Sequence, residues 1–220
     1  STSPATSRPS LLPHLRTVDR DQGVDVPFSL ALSGFAVPVR AVASALGSAG
    51  TEAHLEGWPA AVAPPDPDPE TSRRGVPGPA LAALDGWVAG LVRSRIATMF
   101  LLQGMSTAEV LPLGIQDWHG ALVAPAVAAG IVPAIRAGGP RLFHHDGAPA
   151  PAAIASCLDR MWQLAEDEPR WDVRALLLHL AILWIRPWPS ANARLARLVL
   201  NTLRAVSGPS ARRGPPPCAA

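Results

Sequence analysis

Arg186, Ser190, Asn192, Arg194 and Arg197 are gathered in one short run, Ile185-Arg-Pro-Trp-Pro-Ser-Ala-Asn-Ala-Arg-Leu-Ala-Arg197, which contains no acidic residue. Guanidinium groups around one loop, with a hydroxyl and a carboxamide beside them, suit an anion, because arginine presents a planar fork of donors that matches carboxylate or phosphate oxygens. Arg186 could also stabilise negative charge that develops during a reaction. It cannot act as a base, since a guanidinium stays protonated below about pH 12. The elements that must hold these groups are legible around them. Residues 173–185 form an apolar helical pattern, and Pro187 and Pro189 end it, because neither has a backbone N–H to donate. A second helical pattern runs from about residue 192 to 206 and stops at Gly208-Pro209. Free amides and the helix dipole favour an anion at that second start, and Arg194 and Arg197, three apart, share one face. The alternative for both arginines is pairing with carboxylates such as Glu109 or Glu166.

Aromatic and imidazole groups lie close by in sequence. Trp184 and Trp188 could wall a pocket for a flat apolar ligand, with Trp162 and Trp171 as further core candidates. His179, two turns before the loop inside an apolar helix, reads as a core histidine or as a buried proton relay. His144-His145-Asp146 is poor metal-ligand spacing, because adjacent side chains on an extended segment point to opposite faces.

The run Arg186-Pro-Trp-Pro-Ser-Ala-Asn-Ala-Arg-Leu-Ala-Arg197 resembles, without a gap, the Fic/Doc (Fido-fold) signature H-P-F-x-[D/E]-G-N-G-R-x-x-R. Pro187, Asn192, Arg194 and Arg197 match it, and Trp188 replaces its phenylalanine with another aromatic ring. The helix Ala175-Leu-Leu-Leu-His179-Leu-Ala-Ile-Leu-Trp-Ile185 is similar to the one that precedes that signature. Upstream, Leu102-Gln103-Gly104-Met105 resembles the family's autoinhibitory I-E-G-I segment, with Met99 at its Ser/Thr position. The stretch from Gly138-Gly139 to Pro149-Ala-Pro151 is similar to the target-docking flap, and the resemblance spans residues 80–208.

The resemblance implies a mostly α fold, a Fic-like helical bundle with one short β-hairpin as flap. It also implies a departure from the family's chemistry, in which the motif histidine deprotonates a target hydroxyl that attacks the α-phosphate of a nucleotide. Arg186 stands at that histidine, and Ser190 stands at the acidic Mg²⁺ ligand, where a neutral hydroxyl is a poor substitute. Ala191 and Ala193 replace both glycines of the phosphate cradle. If the cradle needs positive φ there, each alanine costs roughly 1–2 kcal/mol, so an altered loop shape is expected. Ordinary AMP transfer, ATP/Mg²⁺ as cofactors and a metal site are therefore not expected. Arg186, Ser190, Asn192, Arg194 and Arg197 become the expected ligand-binding set, with Arg186 and His179 as the catalytic candidates. The expected role is a degenerate Fic-like protein binding a small anionic, nucleotide-like or aromatic molecule. Two alternatives stay open: a repurposed enzyme acting on a small molecule in a bacterial accessory pathway, and an atypical adenylyltransferase.

Composition narrows the classes further. The chain has 220 residues, 48% of them hydrophobic, enough for one substantial core. Its cations are all arginine, and with abundant Ala, Pro and Gly this suits a GC-rich, actinobacterial coding sequence. A net charge of +2, with no basic run carrying interleaved aromatics, argues against a nucleic-acid partner. The greasiest stretches, 121–135 and 173–185, are shorter than the roughly 18–20 residues that cross a bilayer. A cytoplasmic protein is expected, with Cys157 and Cys218 as free thiols, no membrane partner, and a homodimer left open.

Along the chain, residues 1–26 read as a flexible arm and 27–79 as an N-terminal helix followed by a linker. That linker contains Ala63-Pro-Pro-Asp-Pro-Asp-Pro-Glu70, which can be neither helical nor laddered. The helical domain is expected at 80–208 and a disordered tail at 209–220. Helices are expected at about 28–46 (interrupted at Pro38), 80–102 (in two pieces around Gly86 and Gly90), 118–135, 150–166, 172–185 and 192–207, with Thr107-Ala-Glu109 suiting another helix start, Asp172 as a cap and 141–147 as the hairpin.

Overall fold

The computed structural model of the chain describes residues 26, 29–31, 35, 37–48, 75–131 and 149–207. The expected hairpin at 141–147, the proline-acid linker, the tail and nearly all of the N-terminal arm lie outside the described residues. Within them the protein is mostly α. Its helices are α1 (Val39–Ser48), α2 (Gly78–Leu102), α3 (Thr107–Ala128), α4 (Ile154–Asp167), α5 (Trp171–Ile185) and α6 (Asn192–Ser207), with a 3₁₀ turn at Pro151–Ala153 leading into α4. Residues 26 and 29–31 are also helical, and no strand occurs among the described residues.

Gly86 and Gly90 do not divide α2, which runs unbroken for 25 residues. They are instead positions where neighbouring helices pack close against α2. A Cβ on Gly86 would lie 2.1 Å from the carbonyl oxygen of Leu122, and one on Gly90 would lie 3.0 Å from Leu198 Cδ2. Glycine in mid-helix costs up to about 1 kcal/mol in propensity, and here that cost is offset by the contact it permits.

The helix start at Thr107 and the helix expected from Trp118 belong to one continuous helix, which begins at Thr107. Ser106 and Glu109 form a reciprocal capping box, with Ser106 N–H donating to Glu109 Oε2 (2.9 Å) and Glu109 N–H donating to Ser106 Oγ (3.2 Å). Pro112 and Pro125 lie inside α3. Each removes one backbone rung without ending the helix, because packing against α2 holds the rest. The helix ends at Ala128, short of residue 135, where Gly130 turns left-handed (φ 69°) and Ile131 N–H closes onto Ala126 O at 2.8 Å.

Asp172 does not cap α5. The helix starts one residue earlier, after Arg170, and Asp172 sits in its first turn in an exposed ion pair with Arg170 (2.7 Å). The N-terminal helical pattern is broken at Pro38, with residues 29–31 helical before it and α1 after it. Pro38 precedes the first turn of α1, where its carbonyl accepts from Ala41 N–H (3.0 Å).

The core forms where α6 lies against α5 and α2, and α2 lies against α3. Trp87, Leu84, Trp118, Leu122, Leu178, Ile182, Leu195 and Leu198 are essentially fully buried there. A polar tie joins the ends of α3, α4 and α5: Thr107 Oγ1 donates to Glu166, and Arg174 donates to Thr107 Oγ1 (3.1 Å) and pairs with Glu166 at 3.6 Å. Among the described residues, no helix is long and apolar enough to cross a membrane.

Candidate functional site

Between α5 and α6 the chain leaves helical geometry at Arg186 and resumes it at Asn192, as the prolines require. Arg186 closes α5 in the left-handed region (φ 48°, ψ 60°), its N–H donating to Ile182 O at 3.0 Å. The following Pro187 disfavours the right-handed helical region at this residue, so the chain turns here. The Arg186 guanidinium is half-buried and has no side-chain partner among the described residues.

Ala191 is also left-handed (φ 60°), whereas Ala193 lies inside α6 with ordinary φ. The two alanines are thus unequal, and only Ala191 bears strain. Its carbonyl accepts from Leu195 N–H (2.9 Å) to close the first turn of α6. The amides of Asn192, Ala193 and Arg194 find no acceptor among the described residues. The Asn192 side chain is used within the loop. Its Nδ2 donates to Trp188 O (2.6 Å), and its Oδ1 accepts from Trp188 N–H (3.2 Å).

Arg194 points inward. Only 8% of it is exposed, its Nη1 reaches Ala83 O at 3.5 Å, and its Cζ lies 5.7 Å from the centre of the Phe35 ring. Burial pushes its pKa down to about 10, so it remains a cation at neutral pH. No carboxylate pairs with it among the described residues: Glu109 serves the capping box, and Glu166 serves Thr107 and Arg174. Arg197 donates to Ser29 Oγ (3.0 Å) in the N-terminal helical segment.

Gln103 does not face these arginines. Arg194 meets α2 at Ala83, and Gln103 follows the end of the same helix, about 30 Å away along its axis at about 1.5 Å per residue. His179 sits on α5 about 10 Å before Arg186 by the same measure, and its Nδ1 is buried without a partner. Trp184 is 52% exposed on the surface of α5, while Trp188 is part-buried at the loop. The His144-His145-Asp146 segment lies outside the described residues, and among those described no cluster of metal-ligating side chains forms.

The residue that sequence reasoning missed is His119. It comes from α3, is 2% exposed, and places Nε2 3.0 Å from Ser190 O, so that nitrogen carries the proton and donates. Its ring stacks on Trp188, with centroids 4.7 Å apart and planes 16° from parallel. Burial, chiefly, and the charge of Arg194 lower its pKa to about 4 against the opposing pull of the Ser190 bond, so the ring is neutral at pH 7. Ser190 Oγ is buried and bonded to nothing among the described residues. A histidine beside Trp118 on an apolar helix carries no local signal for a partner 71 residues away.

The assembled loop offers a desolvated cation, a second unpaired cation, a free hydroxyl and open amides at a helix start. Such groups recognise negative charge and supply no base at position 186. In comparisons with family models and with curated proteins, the chain matches none of them.

Proposed function

We propose that this chain is a degenerate Fic-like protein whose loop between α5 and α6 binds a small anionic molecule without a metal ion and without ordinary AMP transfer. The observation that carries this reading is Arg194, nine-tenths buried in the first turn of α6 with one long hydrogen bond and no carboxylate among the described residues. A charge held that dry costs several kcal/mol unless it is compensated, and an anion at the open amides of α6 would compensate it. The unpartnered Arg186 and the unbonded Ser190 Oγ support the same reading. The Fic-like likeness rests on the retained Pro187, Asn192, Arg194 and Arg197, which flank a break between two packed helices.

Titration calorimetry with inorganic pyrophosphate tests the proposal. Saturable binding that is equal in EDTA and in Mg²⁺, and weakened tenfold or more (about 1.4 kcal/mol) by Arg186→Ala, is the expected result. No heat up to millimolar pyrophosphate, or binding that appears only with Mg²⁺, would sink it.

A further inference from the structure

We infer that His119 is the positioning residue of the anion loop, clamping Ser190 and Trp188 so that the buried Ser190 hydroxyl and the first amides of α6 stay unpaired ahead of ligand binding. The inference rests on the anion-binding reading above and adds the group that shapes the site. Histidines inside helical cores are commonly satisfied by nearby backbone. His119 instead sends its single N–H across the fold to a loop carbonyl and lays its ring on the aromatic side chain two residues earlier.

The loop needs such a hold. Two non-glycine residues, Arg186 and Ala191, take left-handed conformations at its two ends, and strain of that kind persists only where surrounding contacts over-determine the backbone. Three ties converge on the four residues between them: the His119 bond to Ser190 O, the stack on Trp188, and the paired bonds from Asn192 to the Trp188 backbone. The tie at Ser190 takes its carbonyl and leaves its hydroxyl unbonded. Without it, the peptide preceding Ala191 is free to turn, and the Ser190 carbonyl could fold back onto the α6 amides as an internal cap. That would fill the place an anion should take. His119 touches no ligand in this scheme and acts through the loop.

Two substitutions separate its parts. His119→Phe keeps a flat ring against Trp188 and removes the donor; His119→Gln keeps a donor at similar reach and removes the ring. Amide hydrogen exchange reads the loop without any ligand, and pyrophosphate calorimetry reads the site. His119→Phe should speed exchange at Trp188 and Leu195, whose amides are the bonded ones at the loop, tenfold or more while the amides of α2 keep their protection, and should weaken pyrophosphate tenfold or more. His119→Gln should recover most of both. Unchanged loop exchange in His119→Phe would overturn the inference. So would an equal loss in both variants accompanied by falling protection throughout α2, since that marks a residue that only fills the core. If the wild-type chain binds no pyrophosphate while loop exchange responds as described, the anion reading falls and the clamp on the loop stands.

Discussion

Arg197 on α6 donates from Nη1 to Ser29 Oγ at 3.0 Å, joining positions 168 residues apart. The bond fastens the N-terminal helical segment over the same helix turn that carries Arg194, whose guanidinium faces Phe35 in the non-helical stretch that follows it. Hydrogen bonds to charged groups contribute roughly 1.5–3 kcal/mol, and this one is part-buried. Ser29→Ala should therefore lower stability by about 1–2 kcal/mol, read as a shift in urea midpoint without a change in slope. Gln103→Gly, far along α2, should leave pyrophosphate affinity unchanged within about twofold.

The two alanines of the loop should respond oppositely to glycine. Ala191 is left-handed, so Ala191→Gly removes its steric penalty and should stabilise the protein by about 0.5–1 kcal/mol after the entropy of a freer unfolded chain is included. Ala193 is helical and exposed, so Ala193→Gly should destabilise by roughly 0.5–1 kcal/mol. Thermal melts of the two variants suffice, and shifts of the same sign would contradict the assigned backbone geometry.

Among the described glycines, Gly86 is the one where an added Cβ would meet its neighbour most closely. Gly86→Ala drives a methyl group into the Leu122 carbonyl and should cost about 3 kcal/mol. Gly78→Ala, where nothing lies within 4 Å, should be neutral within about 0.5 kcal/mol. If both variants melt together, α2 and α3 do not cross at Gly86.

His119 predicts a pH dependence. Its pKa lies at about 4 in the folded protein and at its ordinary 6.5 in the unfolded chain. Between these values the unfolded chain binds the extra proton, so stability from this group is full above pH 6.5 and falls until about pH 4. The loss over that window is on the order of 3 kcal/mol. Urea midpoints measured from pH 8 to pH 4 should show this decline, and His119→Gln should flatten the part that His119 contributes. Equal slopes in the two proteins would mean that the ring is not buried neutral.

Labelled ATP with Mg²⁺ should label neither this protein nor a cell lysate to which it is added, because position 186 offers no base and position 190 no acid. Arg186→His alone should not restore labelling, since the metal ligand would still be absent. Robust labelling by the unaltered chain would show that another group, His179 or His119, serves as the base.

The helical architecture was legible because its signals are local: apolar spacing marks α2, α5 and α6, and Pro187 and Pro189 mark the break between the last two. Other boundaries failed where tertiary contact overrode local preference. Gly86 reads as a helix breaker until Leu122 is seen against it, and nothing local shows that the helix containing Trp118 runs unbroken from Thr107 through Pro112 and Pro125 until α2 is seen packed along it. The arginines of the candidate site could be named from spacing, but their surroundings could not. Nothing near Arg194 in sequence shows that Ala83 and Phe35 enclose it, and nothing near Ser190 points to His119. Gln103, singled out in the sequence by likeness alone, lies about 30 Å along α2 from the point where Arg194 meets that helix.

The dry guanidinium of Arg194 gives the folded chain a built-in reporter. An anion that reaches it binds the folded form and not the unfolded one, and so raises the melting temperature, by about 2.7 kcal/mol of stability at a hundred times its Kd. Thermal shift across a panel of buffer and metabolite anions would then rank ligands with no assay for turnover. The choice of salt in any purification becomes a variable too, since sulfate or phosphate would compete for the same loop.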